Sequence, residues 1–456
     1  MLSRSRSHGL GEAAVERALC TLDAARAETL RLVGGLGDPE LDAFVDPEFS
    51  PIGWHLGHIA YTEALWALER GIGDPILSVP FERAFSQGGR PKPDRVRLPP
   101  RAELLDYMRH VREQVRAALP ALARRSEPRR PAGEQTAVDD VAFLAWFLSS
   151  HERQHRETIA VVRALALHRA AAGAEGGALA GLGPPARRAQ WRAWARAWVE
   201  QLGSARAACD EPGPVAVPGG AVRIGTNARL AYDNERPAGT RSLDPFALDA
   251  RPVTCARWAR FIADGGYERR ELWTGPGRRW LSRAEVAAPL GWLPPPAAGS
   301  APLRARLDGV APLDPDEPVC GVNAHEADAF ARSCGARLPT EAEWEQAARI
   351  AGEPAAPPNL DLTAAGPTAA RVRGDAPADL LGNVWEWTAS TFEPHPGFVA
   401  YPYEGYSSPY FGGTHRVMRG GSFATSPAIA RPTFRNWYPP SMRQLFVGLR
   451  CASDPR

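Results

Sequence analysis

No apolar run in this chain approaches the roughly 20 residues needed to span a bilayer. The N-terminus, Met-Leu-Ser-Arg-Ser-Arg-Ser-His-Gly, lacks the apolar core of a signal peptide. Cysteine is scarce. The six residues Cys20, Cys209, Cys255, Cys320, Cys334 and Cys451 are scattered, form no CxxC pair and do not read as a disulfide framework. A reducing cytoplasm is the expected compartment. A surplus of one charge is also missing: the net charge of +2 gives no long-range attraction toward nucleic acid or a membrane. Arginine far exceeds lysine, and Ala, Gly and Pro are abundant, which reads as coding bias more than as function. What remains is 456 residues with 44% hydrophobic content, enough for two or three domains with real cores.

Histidine is scarce too, with ten in the chain, yet four of the ten fall in two apolar helical stretches. The stretch 144–160 has helical periodicity and no Gly or Pro. Its His151 and His155 are four residues apart, so on a helix both imidazoles project from one face, a spacing that suits two ligands to one metal ion. The plain alternative is a pair of solvated histidines. The second stretch, 51–71, starts at Ser50-Pro51, has Gly71 as its expected stop and carries His55 and His58. A helical bundle can bring one of this pair against His151 and His155. Three neutral imidazoles then hold a divalent transition metal with positions left open. The residue pattern does not choose between His55 and His58.

Along the chain, 11–35 reads as an amphipathic helix with Ala14, Leu19, Leu22, Ala25, Leu30 and Leu32 on its apolar stripe. Residues 72–100 form a long Pro- and Gly-rich connection, and helices over 101–125 and about 136–168 complete a four-helix bundle. Residues 169–187 read as a linker, followed by a Trp- and Arg-rich helix over 188–203. Trp191, Trp194 and Trp198 on that helix suggest packing between domains. From about Val215 short segments alternate with turns. Helices are expected at Cys255–Ile262, Val322–Cys334 and Thr340–Ile350, the last with Thr340 as N-cap and Glu343 closing a capping box. The expected organisation is α+β: a bundle over 1–168, a linker and Trp-rich helix over 169–214, and an irregular domain with short strands over 215–456.

Trp54-His55-Leu56-Gly57-His58 followed by His151-Glu152-Arg153-Gln154-His155 resembles the EgtB-type nonheme-iron sulfoxide synthases of ergothioneine biosynthesis. In these a DinB-like bundle supplies a three-histidine iron site. The resemblance implies His58, His151 and His155 as ligands, with His55 outside the triad. The second half carries Val217–Gly225, Leu338–Trp344, Gly382-Asn383-Val384-Trp385-Glu386-Trp387, Arg419-Gly420-Gly421-Ser422-Phe423 and Gly448-Leu449-Arg450-Cys451. These look like the formylglycine-generating-enzyme fold, a relative of C-type lectins, and that likeness leaves room for a structural Ca2+. Formylglycine-generating enzymes use two cysteines after Arg-Gly-Gly-Ser. Residues 419–446 contain none, so that copper–thiol chemistry has no ligands here. The resemblance gives this module the role of a wall of the iron site.

The same resemblance assigns the substrates: a hercynine-like betaine, a thiol and O2, with Fe(2+) as cofactor. It places Gln154 on the betaine carboxylate, Asn436 near the imidazole and Trp437 against the trimethylammonium group. Synthases that use γ-glutamylcysteine carry an acid just after this tryptophan and an arginine four residues later. Tyr438 and Met442 stand there instead, which points to free cysteine as the thiol. Arg83, Arg443 and Arg450 are the candidate carboxylate partners, and Tyr401, Tyr403 and Tyr438 the candidate proton donors. Competing readings are a synthase using γ-glutamylcysteine, a selenium donor or histidine (ovothiol-type), and a DinB-like metal-dependent thiol transferase.

Overall fold

The computed structural model describes residues 2–125, 140–175, 179, 181–203, 212–297, 299–354, 356–370, 372 and 376–454. The chain divides into two compact units, 1–163 with 228–230, and 164–227 with 231–456. The boundary falls inside one long helix.

The first unit is a bundle of α1 (Leu2–Val33), α3 (Ile52–Glu63), α6 (Arg101–Arg125) and α7 (Val141–Glu175), with short turns α2 (Asp38–Asp42), α4 (Arg70–Ile72) and α5 (Glu82–Phe85). A π-helical stretch, Ala64–Glu69, joins α3 to α4. Pro51 is the N-cap of α3, and the helical run passes through Gly71 to stop at Gly73, whose φ of +81° is the left-handed conformation glycine adopts without cost. Gly71 is instead a point of close approach, since a Cβ there would lie 3.0 Å from Leu122. α7 begins where the Asp140 carboxylate accepts the N–H groups of Ala142 and Phe143, and it continues past 168. The expected start near 136 lies outside the described residues.

The buried face of α1 is Ala18, Leu22, Ala25, Arg26, Thr29 and Val33, while Leu30 is exposed. The apolar stripe is therefore rotated, because Arg26 is drawn inward. It donates to Glu63 at 2.7 Å, to Glu152 at 2.8 Å and to the Met108 carbonyl at 2.8 Å. Arg112 donates to Glu63 at 2.6 Å. One buried ion network thus ties together α1, α3, α6 and α7. Removing one partner of such a network leaves an uncompensated buried charge and costs about 3–5 kcal/mol.

The second unit has helices α8 (Pro184–Leu202), α9 (Cys255–Ala263), α10 (Gly275–Arg283), α11 (Ala324–Ser333) and α12 (Glu341–Ala351) among short sheets. β1 (Val215–Val217), β4 (Phe246–Leu248) and β12 (Ala452–Ser453) form one sheet in the order β1-β4-β12. β8 (Trp385–Thr391), β9 (Arg416–Arg419), β10 (Asn436–Tyr438) and β11 (Val447–Leu449) form another, ordered β10-β9-β8-β11, with only the β8–β11 pair parallel. β2 (Gly220–Ile224) pairs with β3 (Gly239–Leu243) in a two-stranded sheet, and β5 (Trp292–Leu293), β6 (Leu303–Arg306) and β7 (Gly309–Pro312) form a fourth. Thr254, Asn323 and Thr340 cap α9, α11 and α12, and the Thr340–Glu343 capping box is present. α10 is not among the helices expected from the sequence, although Thr274 as N-cap and Pro276 in the first turn mark its start. α8 starts at Pro184, four residues earlier than expected. Its Trp191 and Trp198 each lie 6.3 Å from the Trp292 ring, so the tryptophan stripe packs within this unit, and the expectation of packing between domains is corrected.

Buried arginine–carboxylate pairs brace this unit. Arg450 binds Glu386 at 2.9 Å, Arg435 binds Glu341 at 2.8 Å and Arg304 binds Glu317 at 2.7 Å. Arg419 binds Glu345, and Trp344 donates to Glu386 at 2.8 Å. Strands of two to seven residues cannot enclose a deep core, so large aromatics and ion pairs pin the loops.

Candidate metal centre

α3 and α7 place four imidazoles in one buried locus of the first unit. His151 Nε2 and His155 Nε2 are 3.1 Å apart, and the His58 ring centroid lies 5.1 Å and 4.7 Å from theirs. One nitrogen from each of His58, His151 and His155 lies within 4.8 Å of the others. Among the described residues this is the one cluster of three ligating His, Cys, Asp or Glu side chains.

The donors fit a transition metal. With metal–nitrogen bonds of about 2.1 Å, a 3.1 Å separation of two nitrogens subtends about 95°, the adjacent-ligand angle of an octahedral ion. Burial pushes the His58 pKa down to about 4 and that of His55 to about 3. Burial also drives His151 and His155 well below their ordinary value, with the neighbouring imidazoles adding to the shift. All four rings are neutral at neutral pH, the state in which imidazole binds metal.

The surrounding residues explain the Trp-His-Leu-Gly-His spacing. His58 Nδ1 is 2.6 Å from the Phe85 carbonyl, so it donates there and leaves Nε2 for a metal. Trp54 stacks on His58 at 4.7 Å and donates to the Ala84 carbonyl at 2.9 Å. Arg95 covers the other side of Trp54 at 4.0 Å and is anchored to Ser50 Oγ at 2.8 Å. At Gly57 a Cβ would come 2.2 Å from the Phe85 ring, so only glycine lets the 79–95 loop lie on the helix. On α7, Glu152 and Arg153 face α1 and bind Arg26 and Glu28, which fixes the rotation that aims His151 and His155 at His58.

Residues 21–159 match the DinB superfamily, and residues 200–363 and 377–455 match the Sulfatase-modifying factor enzyme 1-like domain. The chain is 35% identical to a hercynine oxygenase of Mycobacterium tuberculosis, covering 96% of this chain and 99% of that protein. The chain belongs to the EgtB-type hercynine oxygenase family. A hercynine oxygenase of Mycolicibacterium thermoresistibile is 37% identical over 94% of this chain and 93% of its own length. By contrast, a formylglycine-generating enzyme of Streptomyces coelicolor is 31% identical over 54% of this chain. As a member of the EgtB-type family the chain is an oxidoreductase. Among the described residues no helix is long and apolar enough to cross a membrane.

The remaining candidates are placed as follows. Gln154 is half-buried on α7 and donates to the Ser150 carbonyl at 3.3 Å. Asn436, Trp437 and Tyr438 are half-buried in succession on β10. Trp437 stacks on Phe392 at 4.1 Å with a 6° tilt, and Tyr406 and Tyr410 flank it, three aromatics that the sequence reading missed. Asn436 Oδ1 accepts from the Trp437 N–H. Tyr401 is half-buried beneath Arg236, and Tyr403 and Arg83 are exposed. Arg450 must be corrected: it is fully enclosed, paired with Glu386, and donates to the Asp249 and Ala378 carbonyls, which leaves it nothing to offer a substrate. Arg443 is likewise held by Glu326 at 2.8 Å and 3.0 Å.

Proposed function

We propose that the protein joins a thiol, cysteine, to the imidazole ring of hercynine as a sulfoxide, using iron(II) and O2. The convergence of His58, His151 and His155 carries this reading, and membership of the family supplies the substrate class. Iron(II) held there supplies O2 activation and a site for the thiolate. The overall change replaces a ring C–H by a C–S bond and oxidises the sulfur. One oxygen atom ends in the sulfoxide and the other in water, so no further reductant is needed.

The chain's own groups have four tasks in this proposal. Three neutral imidazoles hold the ion on one side and leave the other side open. Gln154, one residue before His155, offers amide N–H groups to the betaine carboxylate. Trp437, held flat by Phe392, presents an aromatic face to a trimethylammonium group, and Asn436 orients the imidazole. A tyrosine among Tyr401, Tyr403 and Tyr438 provides the proton that completes the water. Cysteine is favoured because Tyr438 and the buried Met442 offer no ion pair to a γ-glutamyl arm, and Arg443 is already engaged. Arg83, exposed on the loop that reaches His58, is the remaining arginine proposed for a substrate carboxylate.

The test is an aerobic assay with iron(II), hercynine and equal concentrations of cysteine and γ-glutamylcysteine, read by mass spectrometry. Two missing charged contacts of about 1.5–3 kcal/mol each predict a preference for cysteine of about two to four decades. An excess of the γ-glutamyl product overturns the thiol assignment. Absence of any hercynine product with all thiols overturns the function.

A further inference from the structure

We propose that His55 is a positioning residue that holds His155 in the one tautomer able to bind the metal. This rests on the reading of His58, His151 and His155 as the ligand set. His55 Nδ1 lies 2.9 Å from His155 Nδ1; His55 is buried on α3 and His155 half-buried on α7. His155 Nε2 faces His151 Nε2, so Nε2 is the atom it offers to a metal. A neutral imidazole that gives up Nε2 carries its proton on Nδ1. That proton then points at His55 Nδ1, which must accept with its lone pair and keep its own proton on Nε2.

The opposite arrangement blocks the site. If His55 carried its proton on Nδ1, it would donate to His155, whose proton would move to Nε2 and occupy the ligand position. His55 Nε2 is buried with no hydrogen-bond partner. The Ser50 backbone favours a proton on this ring, and the contact with His155 is the hydrogen bond that engages Nδ1.

His58 shows the same device in its usual form, with a backbone carbonyl accepting from Nδ1. Ligand histidines commonly donate this proton to a carbonyl or a carboxylate. Using a neutral imidazole on His155 fixes the tautomer without adding negative charge beside the metal. The site keeps the full positive charge of the ion to attract an anionic ligand such as a thiolate.

The experiment compares the full-length apoprotein with His55→Phe and His55→Asn, using Co(II) as an anaerobic probe. Affinity is measured by competition with a chelator, and geometry by ligand-field absorption. Phenylalanine keeps the ring but removes the acceptor; asparagine restores an acceptor near the Nδ1 position. H55F is expected to bind Co(II) about 10–100-fold more weakly with an altered spectrum. Its apoprotein melting temperature should stay close to that of the parent. H55N should recover most of the affinity. Proton NMR of the Co(II)-loaded parent adds a measurement that needs no variant: His155 should show an exchangeable, hyperfine-shifted Nδ1–H. Undiminished affinity in H55F, an H55N as weak as H55F, or coordination of His155 through Nδ1 would each overturn the proposal. A parent protein that takes up no Co(II) overturns the metal reading itself, a distinct result.

Discussion

Both units bury carboxylates against arginines, but Glu63 of the bundle and Glu386 of the second unit are balanced differently. In the bundle, burial raises the pKa of Glu63, yet Arg112 and Arg26 together outweigh it and hold the carboxyl below its ordinary value. In the second unit, burial raises Glu386 and the single Arg450 does not bring it back, so it stays above. Two arginines on one carboxylate make an anchor. One arginine on one carboxylate, with Trp344 and two backbone carbonyls sharing the bonds, makes a brace between loops whose charge is near its limit. The bundle can spend polar residues this way because each sits on a regular helix that aims it. The second unit needs many separate braces because its strands are short.

The largest effects should come from removing one partner in each network. Glu63→Ala is expected to destabilise the bundle by about 3–5 kcal/mol by leaving Arg26 and Arg112 short of a partner. Arg450→Ala should cost the second unit a similar amount by stranding Glu386. Hydrogen exchange followed by mass spectrometry localises each loss. Glu63→Ala should deprotect α3 and α6 more than β8, and Arg450→Ala should do the reverse. Equal loss in both units from either variant would break the comparison.

Acid should separate Glu63 from Glu386 by sign. Glu63 is depressed in the folded state, so its contribution is present above the unfolded value near 4.5 and disappears as pH falls through the lower folded value. Glu386 is raised, so its ionised form costs stability above that range, and the cost fades as pH falls through the raised folded value. Exchange protection, corrected for intrinsic rates between pH 7 and pH 4, should therefore fall further around Glu63 in α3 than around Glu386 in β8. The reverse order would show that the arginine balance is misread. The smallest effect is local: Thr340→Ala removes the cap of α12 and should cost about 1 kcal/mol, read from the shift in thermal midpoint.

The two regions also differ in how readable they are. His151 and His155 were legible because helical spacing converts sequence separation into a shared face. Glu152 and Arg153 follow from the same geometry, pointing at α1. The choice between His55 and His58 was not legible from spacing, since both lie in one apolar helix and tertiary contacts decide which ring meets α7. The Phe85 and Ala84 carbonyls left no side-chain signal; Gly57 was the one local hint that something packs on that face. In the second unit the motifs were legible as a fold but not as roles. Arg450 reads the same in a sequence whether it waits for a substrate or clamps Glu386, and only burial separates the two. Trp437 was visible, but the aromatic bed formed by Phe392, Tyr406 and Tyr410 comes from the β8–β9 connection, whose folding back onto β10 no local pattern records.

The central claim is that three histidines on two bundle helices hold one iron(II) for the reaction. Anaerobic iron(II) titration of the full-length protein, beside the single variants His58→Ala, His151→Ala and His155→Ala, tests it most directly. The account predicts one tightly held iron per chain in the parent. It predicts loss of that iron, and of sulfoxide formation from hercynine, in every variant, with the helical content of the bundle retained. Full iron retention and turnover in any one of the three folded variants would contradict it.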